Sequence, residues 1–259
     1  MTDIYESGEA FRRNFEANAR HLTDAGLYDP AEEHDACGVG LIAAIDGKPR
    51  RAVVEAAIQA LKSIWHRGAV DADGKTGDGA GIHVEIPAAF FHAHVARSGV
   101  NEDRNTPLGV GMVFLPRTDL DGQERCRAIV ETEILGFGYA VHGWRQVPVN
   151  IDVIGEKANA TRPEIEQIML WNARGLSEDD FERELYIIRR KIEKAAIEAQ
   201  IPELYLCSFS CRSIIYKGMF LAASLTPRLL AIMICSISGR EALAFSPITP
   251  ILTGTWRQP

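Results

Sequence analysis

The sequence predicts a mixed fold in which helices and strands alternate along one chain. Three observations carry that reading. Val54, Ala57, Ile58, Leu61, Ile64 and Trp65 recur at helical spacing. Residues 108–114 form an apolar run of strand length, and residues 81–86 alternate apolar and polar side chains. Turn-forming residues, among them Asp46-Gly47 and the glycines between Asp71 and Gly81, punctuate these segments.

Taken in order, residues 1–36 are polar, with a helix over 9–23 that Gly26, Asp29 and Pro30 end, and they read as a leader. The composition changes at Cys37. Val39, Leu41, Ile42, Ala43, Ala44 and Ile45 read as a buried strand closed by the Asp46-Gly47 turn. A helix follows over 51–65, closed by His66-Arg67-Gly68. Residues 71–81 hold four glycines, which predicts a loop feeding the 81–86 strand. Next come a strand at 108–114, a helix at 123–135 and a strand at 147–154 interrupted by Pro148. Pro163 sets the first turn of a helix over 163–172, and Ser177 caps another over 178–199. Residues 205–210 and 213–216 read as a β-hairpin.

Composition excludes several classes. A formal net charge of -7 gives no cationic field for phosphate backbones, so nucleic acid is not an expected partner. The most apolar run, 229–237, is far shorter than the ~20 residues that span a bilayer, so no membrane association is expected. Five cysteines, an odd number at irregular spacing, suit reduced thiols in a cytoplasm. No metal site is expected either. His92 and His94 stand two apart on a helix rather than four, and read as solvated side chains; Cys207 and Cys211 read as core or surface thiols.

Two segments could carry chemistry. The first is Asp35-Ala36-Cys37-Gly38-Val39-Gly40. A cut before Cys37 would expose an α-amino group of pKa near ~7.7, able to act as general base toward its own thiol. Gly38 and Gly40 leave the sulfur approachable. A cysteine beside an apolar strand also suits an inert buried thiol, and the residues alone leave both readings open. The second is His66-Arg67-Gly68-Ala69 followed by the run from Asp71 to Gly81. It lacks the glycine spacing of a P-loop, and by itself it fits a turn-rich connection as well as a ligand-facing loop.

Together, the leader, Cys37-Gly38-Val39-Gly40 and the Arg67-Gly68 and Ala72-Asp73-Gly74-Lys75-Thr76-Gly77-Asp78-Gly79-Ala80-Gly81 runs resemble glutamate synthase large chains in order and spacing. The resembling region is a type-2 glutamine amidotransferase of the N-terminal-nucleophile hydrolase class, and the likeness continues through Tyr216-Lys217-Gly218-Met219. The resemblance implies an α+β fold, specifically an αββα sandwich that is incomplete at the C-terminus. It also implies Cys37 as nucleophile and base, with Arg67, Gly68 and Asp78 as structural support of that nucleophile. L-Glutamine is the implied substrate, and ammonia released from it serves glutamate synthesis from 2-oxoglutarate. FMN, an iron–sulfur cluster and a small-chain partner are implied for a full-length protein, with no cofactor in this chain.

The expected domains are thus a leader at 1–36, the first half of an amidotransferase domain at 37–223, and an unmatched tail at 224–259. That tail holds no Asp, no Lys and one Glu, with four prolines, and reads as a shifted reading frame or an unrelated junction. The family's His-x-Arg-x-Ser-Thr and Asn-Gly-Glu segments, which hold the substrate and form the oxyanion hole, are not found here, so the substrate-binding residues stay unassigned. The last asparagine is Asn172. The alternative to an enzyme is therefore a non-catalytic truncated chain that folds partly or only docks on a partner.

Overall fold

A computed structural model describes residues 8–25, 38–48, 50–64, 69–97, 99, 106–225 and 249–252. It forms two units, Met1–Ala36 and Cys37–Pro259. In the first, helix α1 (Gly8–Ala25) covers the predicted 9–23 segment.

The second unit is organised by two apolar clusters on opposite faces of one sheet. Four antiparallel strands, β4 (Val141–Gln146), β5 (Glu164–Trp171), β3 (Leu108–Leu115) and β6 (Tyr205–Ser210), lie in that order. On one face Val113, Leu115, Ile168, Leu170, Leu206 and Phe209 meet α4 (Leu120–Gly136) and α6 (Glu178–Glu198). Helix α6 supplies Phe181, Leu185, Ile188, Ile192 and Ala196, a stripe at helical spacing whose Leu and Ile members each contribute roughly 1.5–3 kcal/mol on full burial. Its start is fixed by Ser177, whose hydroxyl accepts the Asp180 amide at 3.2 Å as predicted.

The other face carries Val110, Met112, Phe114, Met169 and Cys207 into a cluster shared with a second strand pair, β2 (Thr76–Glu85) and β7 (Ser213–Phe220). Ala80, Ile82 and Val84 of β2 and Ile214 and Tyr216 of β7 belong to it, as do residues of α2 (Arg51–Ser63) and α3 (Ala88–Arg97). In α2 the buried residues are Val54, Ala57, Ile58 and Leu61, four of the positions the sequence periodicity selects.

Several expectations are corrected. The 163–172 segment is no helix but β5, with Pro163 just before it. Strands β3 and β4 bond to it on both sides, so its backbone groups are taken up by ladders and its side chains are buried on both faces. Ladder and burial override the helical preference of Glu, Gln, Met and Leu. Its buried carboxylate and amide are satisfied individually: Glu166 accepts from Arg127 Nε at 2.9 Å and Nη2 at 2.6 Å, and Gln167 accepts from Arg145 at 2.7 Å. The 147–154 segment is not a strand. Pro148 has no N–H to offer a ladder, and the chain instead turns through a short 3-10 helix, Ile151–Val153, capped by Asn150.

The predicted 205–216 hairpin is also replaced. Strand β6 pairs with β3, whereas β7 pairs with β2, so the turn between them passes the chain from one sheet to another. Ser210 holds that turn: its hydroxyl accepts from the Arg212 amide at 2.9 Å and the Ser213 amide at 3.1 Å, and donates to Glu182 of α6 at 2.7 Å. Finally, the 39–45 run is neither long nor buried. Strand β1 is Val39–Ile42, and Val39 and Leu41 are 61% and 60% exposed. Its ladder partner is β8 (Thr249–Leu252), with Val39 opposite Leu252, and of its side chains Ile42 packs on the core.

Candidate active site

Of the residues singled out by sequence, Cys37, Arg67 and Gly68 lie outside the described residues, as do Trp65 and His66. Asp78 is described, and it stands in β2 rather than in a loop. The predicted 71–81 loop is shorter than its glycine content suggests, because β2 begins at Thr76. Glycine is used there for proximity and for a bulge. A Cβ on Gly77 would stand 2.9 Å from the Phe220 carbonyl oxygen, and Gly79 has φ +124 where the β2–β7 register shifts.

The residues directly after Gly68 fold back on the start of β2. The Asp78 amide donates to the Ala69 carbonyl at 3.2 Å, Val70 bridges Gly77, and the Asp71 amide donates to Thr76 at 2.9 Å. The hairpin tip is closed by Gly74, whose amide donates to Asp71 at 2.9 Å and whose φ is +67. The structure thus brings Asp78 alongside Ala69, the residue that follows Arg67-Gly68 in sequence.

Asp73 orders this tip from inside. Its carboxylate accepts the Lys75 amide at 2.9 Å, the Thr76 amide at 2.7 Å and the Thr76 hydroxyl at 2.5 Å. The Thr76 hydroxyl first, then the Thr76 and Lys75 amides, lower the Asp73 pKa to about 2. A second tie comes from a distant segment around α5 (Glu156–Ala160). Lys157 Nζ donates to Asp71 at 2.7 Å, and the Ala158 amide donates to the Thr76 hydroxyl at 3.4 Å across 82 residues of sequence. Gly155 packs so closely that a Cβ there would collide with Asp73 Oδ2 and Thr76 Oγ1. Sequence reading missed Gly155, Lys157 and Ala158. The Asp73-x-x-Thr76 spacing was a visible signal for the turn, but nothing local ties it to residues 155–158.

Other candidates are placed as follows. His92 is buried in α3, not solvated as the sequence suggested, because the helix presses that side against the core. His94 stacks on Phe90 with centroids 6.5 Å apart, and burial first, then Arg145 and Arg97, lower its pKa. Burial pushes the Cys207 thiol up to about 11, and that of Cys126 likewise. Burial, and then a hydrogen bond to Glu182, raise that of Cys211. None of these three is prepared as a thiolate nucleophile. Among the described residues no three His, Cys, Asp or Glu side chains are grouped to hold a metal, and no helix is long and apolar enough to cross a membrane.

Comparison with known proteins bears on the whole second unit. The family model for class-II glutamine amidotransferases matches residues 37–230. The chain belongs to the class-II glutamine amidotransferases. Among individual relatives it is similar to the glutamate synthase [NADPH] large chain of Azospirillum brasilense, 65% identical over 226 residues, covering 87% of this chain and 15% of that one. It is 42% identical over 202 residues to ferredoxin-dependent glutamate synthase 1 of Arabidopsis thaliana, covering 78% of this chain and 12% of that one. With the glutamate synthase [NADPH] large chain of Bacillus subtilis it shares 37% identity over 198 residues, 75% of this chain and 13% of that one. The chain therefore spans about an eighth to a seventh of the length of these curated relatives.

Proposed function

We propose that this chain supplies the glutamine-hydrolysing part of a glutamate synthase, with Cys37 as nucleophile. The observation that carries the reading is that the amidotransferase match opens at residue 37, the cysteine itself. Once a leader of residues 1–36 is removed, the free α-amino group takes the thiol proton, and the thiolate attacks the side-chain amide carbon of L-glutamine. The C–N bond breaks, ammonia leaves with that proton, and water hydrolyses the thioester to glutamate, regenerating the thiol. Arg67, Gly68 and Asp78 support the nucleophile, and the amidotransferase domain begins at Cys37. The αββα sandwich is supported by the two apolar clusters, one between the four-strand sheet and α4 with α6, the other between that sheet and β2–β7.

Delivery of the ammonia to 2-oxoglutarate, a small-chain partner and a cytoplasmic location belong to the same proposal for a longer protein. FMN and an iron–sulfur cluster supply its reducing chemistry when bound. The described residues of this chain do not fit a cluster, since Cys126, Cys207 and Cys211 are not grouped, and no step here runs through either group.

The alternative reading is a chain without turnover. The two readings part on labelling with 6-diazo-5-oxo-L-norleucine. Selective capture of Cys37, with N-terminal sequencing that begins at Cys37, supports the enzyme. Labelling no faster at Cys37 than at Cys207, with Met1 retained, supports the inactive chain.

A further inference from the structure

We propose that β4 is a guarded edge: the bulge at His142-Gly143 and the inward turn of Arg145 keep the rim of the four-strand sheet from pairing with a second copy of this chain. The inference is independent of the reading of Cys37.

A strand at the end of a sheet presents a row of backbone N–H and C=O groups onto which another strand can ladder. The four-strand sheet has two such ends, and they are treated differently. At the β6 end, β7 closes over the rim. The Ile215 amide donates to the Ser208 hydroxyl at 3.2 Å, and the Cys207 thiol donates to the Ile215 carbonyl at 3.6 Å. At the other end, β4 ladders only with β5 among the described residues. Here the strand itself carries three features that work against addition.

The first is the bulge. Val141 stands opposite Leu170 and Gly143 opposite Met169, so two steps on β4 match one on β5, and Gly143 takes φ +137. The extra residue shifts the phase in which the outward N–H and C=O groups alternate. A regular strand laid along the rim can therefore bond the residues before the bulge or those after it, but not both. The second is Arg145, a charge turned inward. It is 5% exposed, donates to Gln167 at 2.7 Å and holds its guanidinium 5.0 Å from the centre of the Phe90 ring. An added strand would extend the sheet beside this charge and close its remaining path to water. The third is Pro148, which has no N–H to offer, while the Val147 amide before it is already bonded to Ile165 at 2.9 Å. The rim cannot be lengthened in that direction.

Packing does not demand the bulge. A Cβ at Gly143 would meet nothing within 4 Å, and the pairs from Trp144 opposite Ile168 to Gln146 opposite Glu166 are regular. With Gly143 deleted, His142 falls opposite Met169 and every other pair is kept. The bulge is thus accounted for by what it does to the rim.

The test is sedimentation velocity of the whole chain at low and high concentration, with hydrogen–deuterium exchange of the peptide holding residues 141–146 read by mass spectrometry. Wild type should exchange equally at both concentrations in this peptide. Deletion of Gly143 should bring a concentration-dependent species of twice the mass, in which exchange at 141–146 is slowed about tenfold. Gly143→Val, which draws residue 143 toward extended backbone, should do the same at higher concentration, and serves where the deletion gives no cooperative melt. Protection at 141–146 that grows with concentration in wild type overturns the proposal. So does a cooperatively folded deletion or Gly143→Val variant whose exchange there is indifferent to concentration.

Discussion

The α4 and α6 side of the four-strand sheet and the hairpin at 69–78 are held together by different physics. In the first, Val130, Ile134, Leu185, Ile188 and Ile192 are fully buried, and stability comes from area removed from water. In the second, an exposed turn is held by a few single-atom contacts made by Asp73, Thr76 and Lys157. The apolar side tolerates changes of shape if volume is kept, and is indifferent to pH. The hairpin tolerates little substitution at named atoms and carries its own acid sensitivity. The difference bears on where chemistry is proposed: Asp78 lies in the hairpin, which follows Arg67-Gly68 directly in sequence, and Asp78 lies outside the α4–α6 cluster.

The sharpest break between the regions is in activity. Cys37→Ser should abolish glutamine hydrolysis, measured as steady-state ammonia release, because a hydroxyl is far less ionised than a thiol of pKa ~8.5 at neutral pH. Cys207→Ser, in the cluster shared with β2 and β7, should leave the chemistry near wild type. Equal loss in two folded variants would erase the distinction.

In stability the order reverses. Phe181 is fully buried in α6 against Tyr139, with centroids 5.4 Å apart. Phe181→Ala should cost about 3–5 kcal/mol in urea unfolding. A smaller effect tests the helix start: Ser177→Ala removes the cap to Asp180 and should cost about 1 kcal/mol, with Ser177→Asp retaining most of it.

The smallest expected effect is the most diagnostic of the hairpin. The Asp73 carboxyl titrates at about 2 in the fold against an ordinary 3.8, so it stabilises the folded chain only when ionised. Its contribution is complete above about 3.8 and is lost as pH falls through about 2. The melting-temperature difference between wild type and Asp73→Asn should therefore be constant at neutral pH and close across that window. A difference that persists below pH 2 would assign the effect to shape rather than charge.

The elements that sequence revealed are those whose period matched their burial. Helix α6 showed its apolar stripe and its Ser177 cap, and β3 its unbroken apolar run. Strand β5 misled because Glu164, Gln167, Met169 and Leu170 favour helix locally, and only the ladders from β3 and β4 decide otherwise. The glycines of 71–81 misled in the opposite sense: they suggested a loop, whereas close contact with Phe220 and a bulge use them inside β2. The candidate site was read from motif spacing in Cys37, Arg67 and Asp78, of which Asp78 falls among the described residues. The tie of the 71–76 turn to Gly155 and Lys157 was not legible, because a contact across 86 residues leaves no local pattern.

The pairing of β2 with β7, Ile82 opposite Tyr216, also sets an order of events. Every other element of the second unit between them must be threaded before that ladder can close, and the entropy of closure grows with the length enclosed. Pairs close in sequence, such as α6 with β6, have no such delay. The 69–78 hairpin therefore gains its β7 neighbour late, and with it Phe220, the contact against which Gly77 packs. A chain stalled short of β7 would also leave Ile214 and Tyr216 missing from the core they complete.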